Sequence, residues 1–136
     1  MSIKPILKEQ FYHDGRGPEL QRVYYRGRGQ IIEAVDYFNH DVIYSPENLR
    51  HLFFTWPQVF MFTPEEVYNY MAKSLEWSKY KGAAIVDLGR SAWLESFNPD
   101  HLSQCSHYQI MFYDEYLDII CEGIDARIGS YGDGRA

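Results

Sequence analysis

The densest set of reactive side chains lies in HLSQCSH, residues 101–107, which carries His101, Cys105 and His107. On an extended chain Cys105 and His107 point to the same side. An imidazole beside a thiol lowers its pKa and produces a thiolate nucleophile. The stretch offers no third residue to orient the imidazole, so its plain reading is a polar strand entrance with a half-buried thiol. A small enzyme using His107 with Cys105 or a nearby carboxylate is therefore an alternative reading. A tetrahedral zinc would draw on His101, Cys105, His107 and Glu122. The spacing matches no common zinc pattern, and no metal or cofactor is expected; pairing across a hairpin is the simpler use of His107 and Glu122.

A second chemistry is suggested by RVYYRGRG, where Arg22, Arg26 and Arg28 surround Tyr24 and Tyr25. Guanidinium groups and phenol rings together hold phosphates and stacked bases. The stretch has neither a Walker lysine nor three correctly spaced glycines between a strand and a helix. Nucleic-acid binding through the Arg22–Arg28 region is the second alternative, against solvated arginines around a tight connection.

The third feature is an excess of aromatic side chains next to acids. Aromatic residues make up 17% of the 136-residue chain, too many for one small domain to bury in full, and exposed Tyr and Trp favour protein recognition. Net charge is −6, and it is unevenly spread. Residues 1–82 carry equal numbers of basic and acidic groups, whereas residues 83–136 hold Arg90, Arg127 and Arg135 against nine acids. An acidic half repels nucleic acid and attracts basic surfaces. Trp93, Glu95, Tyr113, Asp114, Glu115, Tyr116 and Asp118 are the candidate partner-binding residues: the rings supply contact area and the carboxylates steer a basic partner.

The elements that must hold these residues follow from periodicity. In HYQIMFYDEYLDIICEG (107–123) apolar and polar residues alternate as in an antiparallel hairpin with one buried face. A turn at Asp114–Glu115 sets Phe112 opposite Leu117, Ile110 opposite Ile119 and Tyr108 opposite Cys121. The other face then pairs Met111 with Asp118, Gln109 with Ile120 and His107 with Glu122. TPEE (63–66) reads as a capping box, with Thr63 as cap, Pro64 at the first helical position and Glu66 reaching back. Val67, Met71 and Leu75 continue a helical stripe toward Gly82, which predicts a helix over about 64–81. Ile31, Val35 and Phe38 have helical spacing in QIIEAVDYF, and Ser45–Pro46 opens a short helix ending before Pro57. LQRVYY (20–25) and AAIVDL (83–88) read as strands.

The expected fold is α+β: a single domain over 1–136, an antiparallel sheet ending in a C-terminal β-hairpin, and the 64–81 helix packed on one face. Two cysteines make no disulfide framework, and MSIKPILKEQ lacks the apolar run of a secretory leader, so a cytoplasmic protein is expected. The expected function is to bind and neutralise a basic protein partner, such as a toxin, with no membrane and no nucleic acid involved. Small acidic inhibitors, the immunity proteins that neutralise toxins among them, share this profile of size, charge and aromatic surface; no motif carries the likeness.

Overall fold

A computed structural model describes residues 4–7, 19–25, 31–36, 50–64, 66–67, 84–112 and 115–128. They are mostly antiparallel strand, with no helix of seven or more residues among them. The strands are β1 (Lys4–Ile6), β2 (Glu19–Tyr25), β3 (Ile31–Asp36), β4 (Arg50–Thr55), β5 (Val59–Pro64), β6 (Ile85–Gly89), β7 (Ser106–Met111), β8 (Glu115–Cys121) and β9 (Gly123–Ile128). One helical turn, α1 (Ala92–Glu95), follows β6. Every strand pairing among the described residues is antiparallel. A five-stranded sheet has the order β1-β6-β7-β8-β5, and a four-stranded sheet the order β2-β3-β4-β9.

The fold is mostly antiparallel sheet and not α+β with one long helix. Thr63 and Pro64 are strand residues, paired with Tyr116 and Glu115, so Thr63 caps no helix. Pro64 ends β5 at the margin of the sheet, where a missing N–H is tolerated. Its carbonyl accepts from the Val67 N–H at 2.9 Å, closing a turn. The remainder of the expected helix, 65 and 68–81, lies outside the described residues. Two shorter helices are corrected in the same sense where the structure describes them; Phe38 and Ser45–Pro46 lie outside the described residues. Ile31–Asp36 pairs on both sides, with β2 and β4, and its β-branched residues suit that setting better than their helical spacing suits a helix. Arg50–Thr55 is β4: Leu52 and Phe54 alternate into the core, with His51 and Phe53 buried on the other side. Such a strand reads as a near-continuous apolar run, not as an amphipathic stripe.

The core lies between the two sheets. Leu52 and Phe54 of β4 meet Ile85, Tyr108, Ile110, Phe112, Leu117, Ile119 and Cys121 of the five-stranded sheet, with Ile124 and Ala126 of β9 packed against them. The expected core side of the hairpin is therefore the observed one. Its register differs, however: Tyr108 faces Ile119, Ile110 faces Leu117, and His107 faces Ile120 instead of Glu122. The Phe112 N–H donates to the Glu115 carbonyl at 2.8 Å, so the chain reverses one residue earlier than Asp114–Glu115.

The two sheets share one bent ribbon. β4 pairs β9 as far as Thr55 and Gly123, and β5 pairs β8 from Val59 and Ile120. Across the joint, residues 56–58 face residues 121–122, an excess of one residue that bends the ribbon as a bulge does. Bonds from Glu122 N–H to Thr55 O and from Gln58 N–H to Ile120 O, both 2.8 Å, hold the corner. Trp56 absorbs the extra residue in the left-handed region, at φ 52°.

Candidate functional site

On the face of the five-stranded sheet turned away from the core, His107, Gln109 and Asp118 are fully buried. They get there because β7 and β8 alternate: their neighbours Tyr108, Ile110, Leu117 and Ile119 take the core side. Gln109 lies directly opposite Asp118, and its Nε2 donates to Asp118 Oδ1 at 3.0 Å. His107 Nε2 lies 2.8 Å from the same oxygen. The other ring nitrogen, Nδ1, lies 2.7 Å from Ser91 Oγ. Ser91 in turn caps α1, accepting from the Leu94 N–H at 3.2 Å.

The segment over His107 runs from Arg90 to Cys105, and one side chain ties it together. Arg90 Nε pairs with Glu95 at 3.0 Å, its Nη1 donates to the carbonyls of Leu102 (2.6 Å) and Cys105 (3.3 Å), and its Nη2 to that of Pro99 (3.2 Å). Beneath it Leu94, Leu102, Cys105 and Ile120 form a second apolar cluster, with Val59 and Trp93 at its margin. The Trp93 ring sits 4.8 Å from the His107 ring and 5.6 Å from Phe97.

Of the candidate residues named from sequence, Trp93 is half-buried over His107 and Glu95 is exposed. Glu115 is half-buried at the start of β8, Tyr116 is buried and Asp118 is fully buried; Tyr113 and Asp114 lie outside the described residues. Asp118 thus belongs to the polar network and not to the surface. Cys105 sits in the apolar cluster. Burial pushes its thiol above the ordinary 9.0, Glu122 adds to this, and Arg90 offsets part, the opposite of an activated thiolate. His101 is exposed and bonds to Gln58, Nε2 to Oε1, at 3.3 Å. Arg22 is a residue of β2; Arg26 and Arg28 lie outside the described residues.

The structure adds residues that the sequence does not single out as functional. Ser91 carries the signal of an N-cap before AWLE. Alternation alone puts Gln109 on the exposed face. At the ribbon corner Trp56 is 51% exposed, with Phe60 at 45% nearby on β5 and Phe97 at 42% on the covering segment. Glu122 is exposed across the corner from Trp56, and Asp100, Glu95 and Asp125 are exposed as well. No protein-family model, curated protein or solved structure matches the chain.

Proposed function

We propose that the protein recognises a basic protein partner through the ribbon corner and the covering segment beside it, in the manner of a small acidic inhibitor. The observation that carries this reading is Trp56: a half-exposed indole held at φ 52° on the molecular surface. A bulky residue in the left-handed region costs on the order of 1–2 kcal/mol, and such strain concentrates at working sites. Trp is also the side chain most enriched among interface anchors. Around it the chemistry suits a cationic partner. Glu122 lies across the corner, Asp100 and His101 come close through the Gln58–His101 bond, and Arg90 is committed to Glu95 and three carbonyls. A cytoplasmic location belongs with this reading, since both cysteines are free thiols. No helix of the described residues is long and apolar enough to cross a membrane.

The test is retention of proteins from the native host on immobilised wild type, Trp56→Gly and Glu122→Lys. The expected result is a basic protein held by wild type and lost, by about 1–4 kcal/mol, on Trp56→Gly. Glu122→Lys is expected to slow its association and flatten the salt dependence. Equal retention by all three overturns the reading.

A further inference from the structure

The chain Ser91–His107–Asp118 plays no part in recognition at the corner, and the order of its donors and acceptors is chemically specific. In the tautomer that carries its proton on Nε2, His107 donates to Asp118 Oδ1 over 2.8 Å and presents the Nδ1 lone pair to Ser91, 2.7 Å away. Ser91 Oγ already accepts from the Leu94 N–H, which leaves its own hydrogen free to be donated to Nδ1. Hydroxyl, imidazole and carboxylate therefore stand in the order that removes a proton from an attacking serine oxygen and stabilises the imidazolium that results. The ring is reversed relative to the usual arrangement, with Nδ1 toward the serine, and either nitrogen can serve as base.

Two further observations single the chain out. Asp118, His107 and Gln109 are wholly buried, and such a set is often no more stabilising than apolar residues of the same volume. Gln109 Oε1 is buried without a hydrogen-bond partner. His107 is closed over by Trp93; Ser91, itself 5% exposed, is flanked by the exposed residues Arg90 and Ala92 where β6 gives way to a helical turn.

We propose that Ser91 is the nucleophile of a serine-type acyl-transfer site, with His107 as its base and Asp118 as the carboxylate that fixes the imidazole. The apolar side chains packed beside these groups (Leu94, Ile120) suit an uncharged carboxylic ester. Ser91 Oγ bonds to the ester carbon while its proton passes to His107 Nδ1. The alcohol leaves with that proton, and water, deprotonated by the same nitrogen, releases the acid and restores the serine. Ser91 lies in the segment that also flanks the corner, but the two tests use different variants and readouts, so either proposal can fail alone.

The probe is diisopropyl fluorophosphate on the full-length protein, read by intact mass and peptide mapping. Ser91 Oγ bonds to phosphorus, the P–F bond breaks, fluoride leaves, and the serine proton goes to His107. One adduct on Ser91 is expected, absent in Ser91→Ala and formed at least ~100-fold more slowly in Asp118→Asn, whose amide no longer holds the imidazole as base. Folded wild type left unlabelled under conditions that fully modify a reference serine hydrolase overturns the proposal. An adduct mapping to another residue does the same. Both of these outcomes are read on wild type alone and hold even if a variant fails to fold.

Discussion

At the residue scale, the buried carboxylate decides the energetics. Asp118 accepts from both His107 and Gln109, so deleting one partner strands the others without water. Asp118→Ala is expected to cost about 3–5 kcal/mol in urea unfolding. Replacing the set by apolar residues (His107→Leu, Gln109→Met and Asp118→Leu together) is expected to cost less than that single change, because the carboxylate, the imidazole and the amide are removed together. A triple variant less stable than Asp118→Ala would mark the network as a stabilising one. Cys121 makes a second, independent case. Burial pushes its thiol up to about 12 from 9.0, with a smaller opposing effect from the Gly123 backbone. Above pH 9 the unfolded chain sheds this proton while the folded chain keeps it, so stability falls as pH rises between about 9 and 12. The slope is about 1.4 kcal/mol per pH unit for one such group. Urea midpoints at pH 8, 9 and 10 are expected to fall more steeply in wild type than in Cys121→Ala. Tyr108, pushed up to about 12 chiefly by burial with Asp87 adding to it, acts in the same direction only from about pH 10.

At the scale of elements, the bend in the ribbon is a local device with a local test. Trp56→Gly relieves the left-handed strain but frees the unfolded chain, so its stability is expected within about 0.5 kcal/mol of wild type. Trp56→Val keeps the strain and adds a β-branch, and is expected to lose about 1–2 kcal/mol. If the two variants have equal midpoints, the corner does not depend on that conformation. The hairpin shows why part of this architecture is legible in the sequence. The observed pairing is displaced from the one that the turn residues suggest, yet every core residue keeps its face, since an even displacement preserves side-chain parity. The same displacement moves His107 away from Glu122 and Gln109 onto Asp118, so the polar network is out of reach of the pattern. Thr63 and Pro64 mislead for a different reason. A capping box is a local preference, and pairing with Tyr116 and Glu115 outweighs it; likewise Leu52 and Phe54 look helical only until a second sheet is there to receive them. That His107 and Ile120 on the outer face of β7 and β8 are buried, not solvated, depends on the segment from Arg90 to Cys105, whose docking through one guanidinium has no periodic signature.

For the whole molecule, charge and connectivity act over different ranges. The excess of acid in residues 83–136 acts over about a Debye length. Raising salt from 0.05 to 0.5 M is therefore expected to slow binding of a basic partner by ten-fold or more with little change in dissociation; an association rate indifferent to salt would remove charge from the recognition mechanism. Connectivity has a consequence for time. The two strands of the bent ribbon are more than 50 positions apart in sequence, and both sheets are built onto it. The edge strands β5 and β9 join their sheets only through that distant pairing, which places completion of the fold among the slow, milliseconds-to-seconds topologies. The ribbon is also what joins the sequential strands β2-β3-β4 to β6-β7-β8 around one core. Amides of Leu52 and Ile119, in different sheets, should then exchange with solvent through the same opening and with the same free energy, and separate values would show that the ribbon can part at its corner.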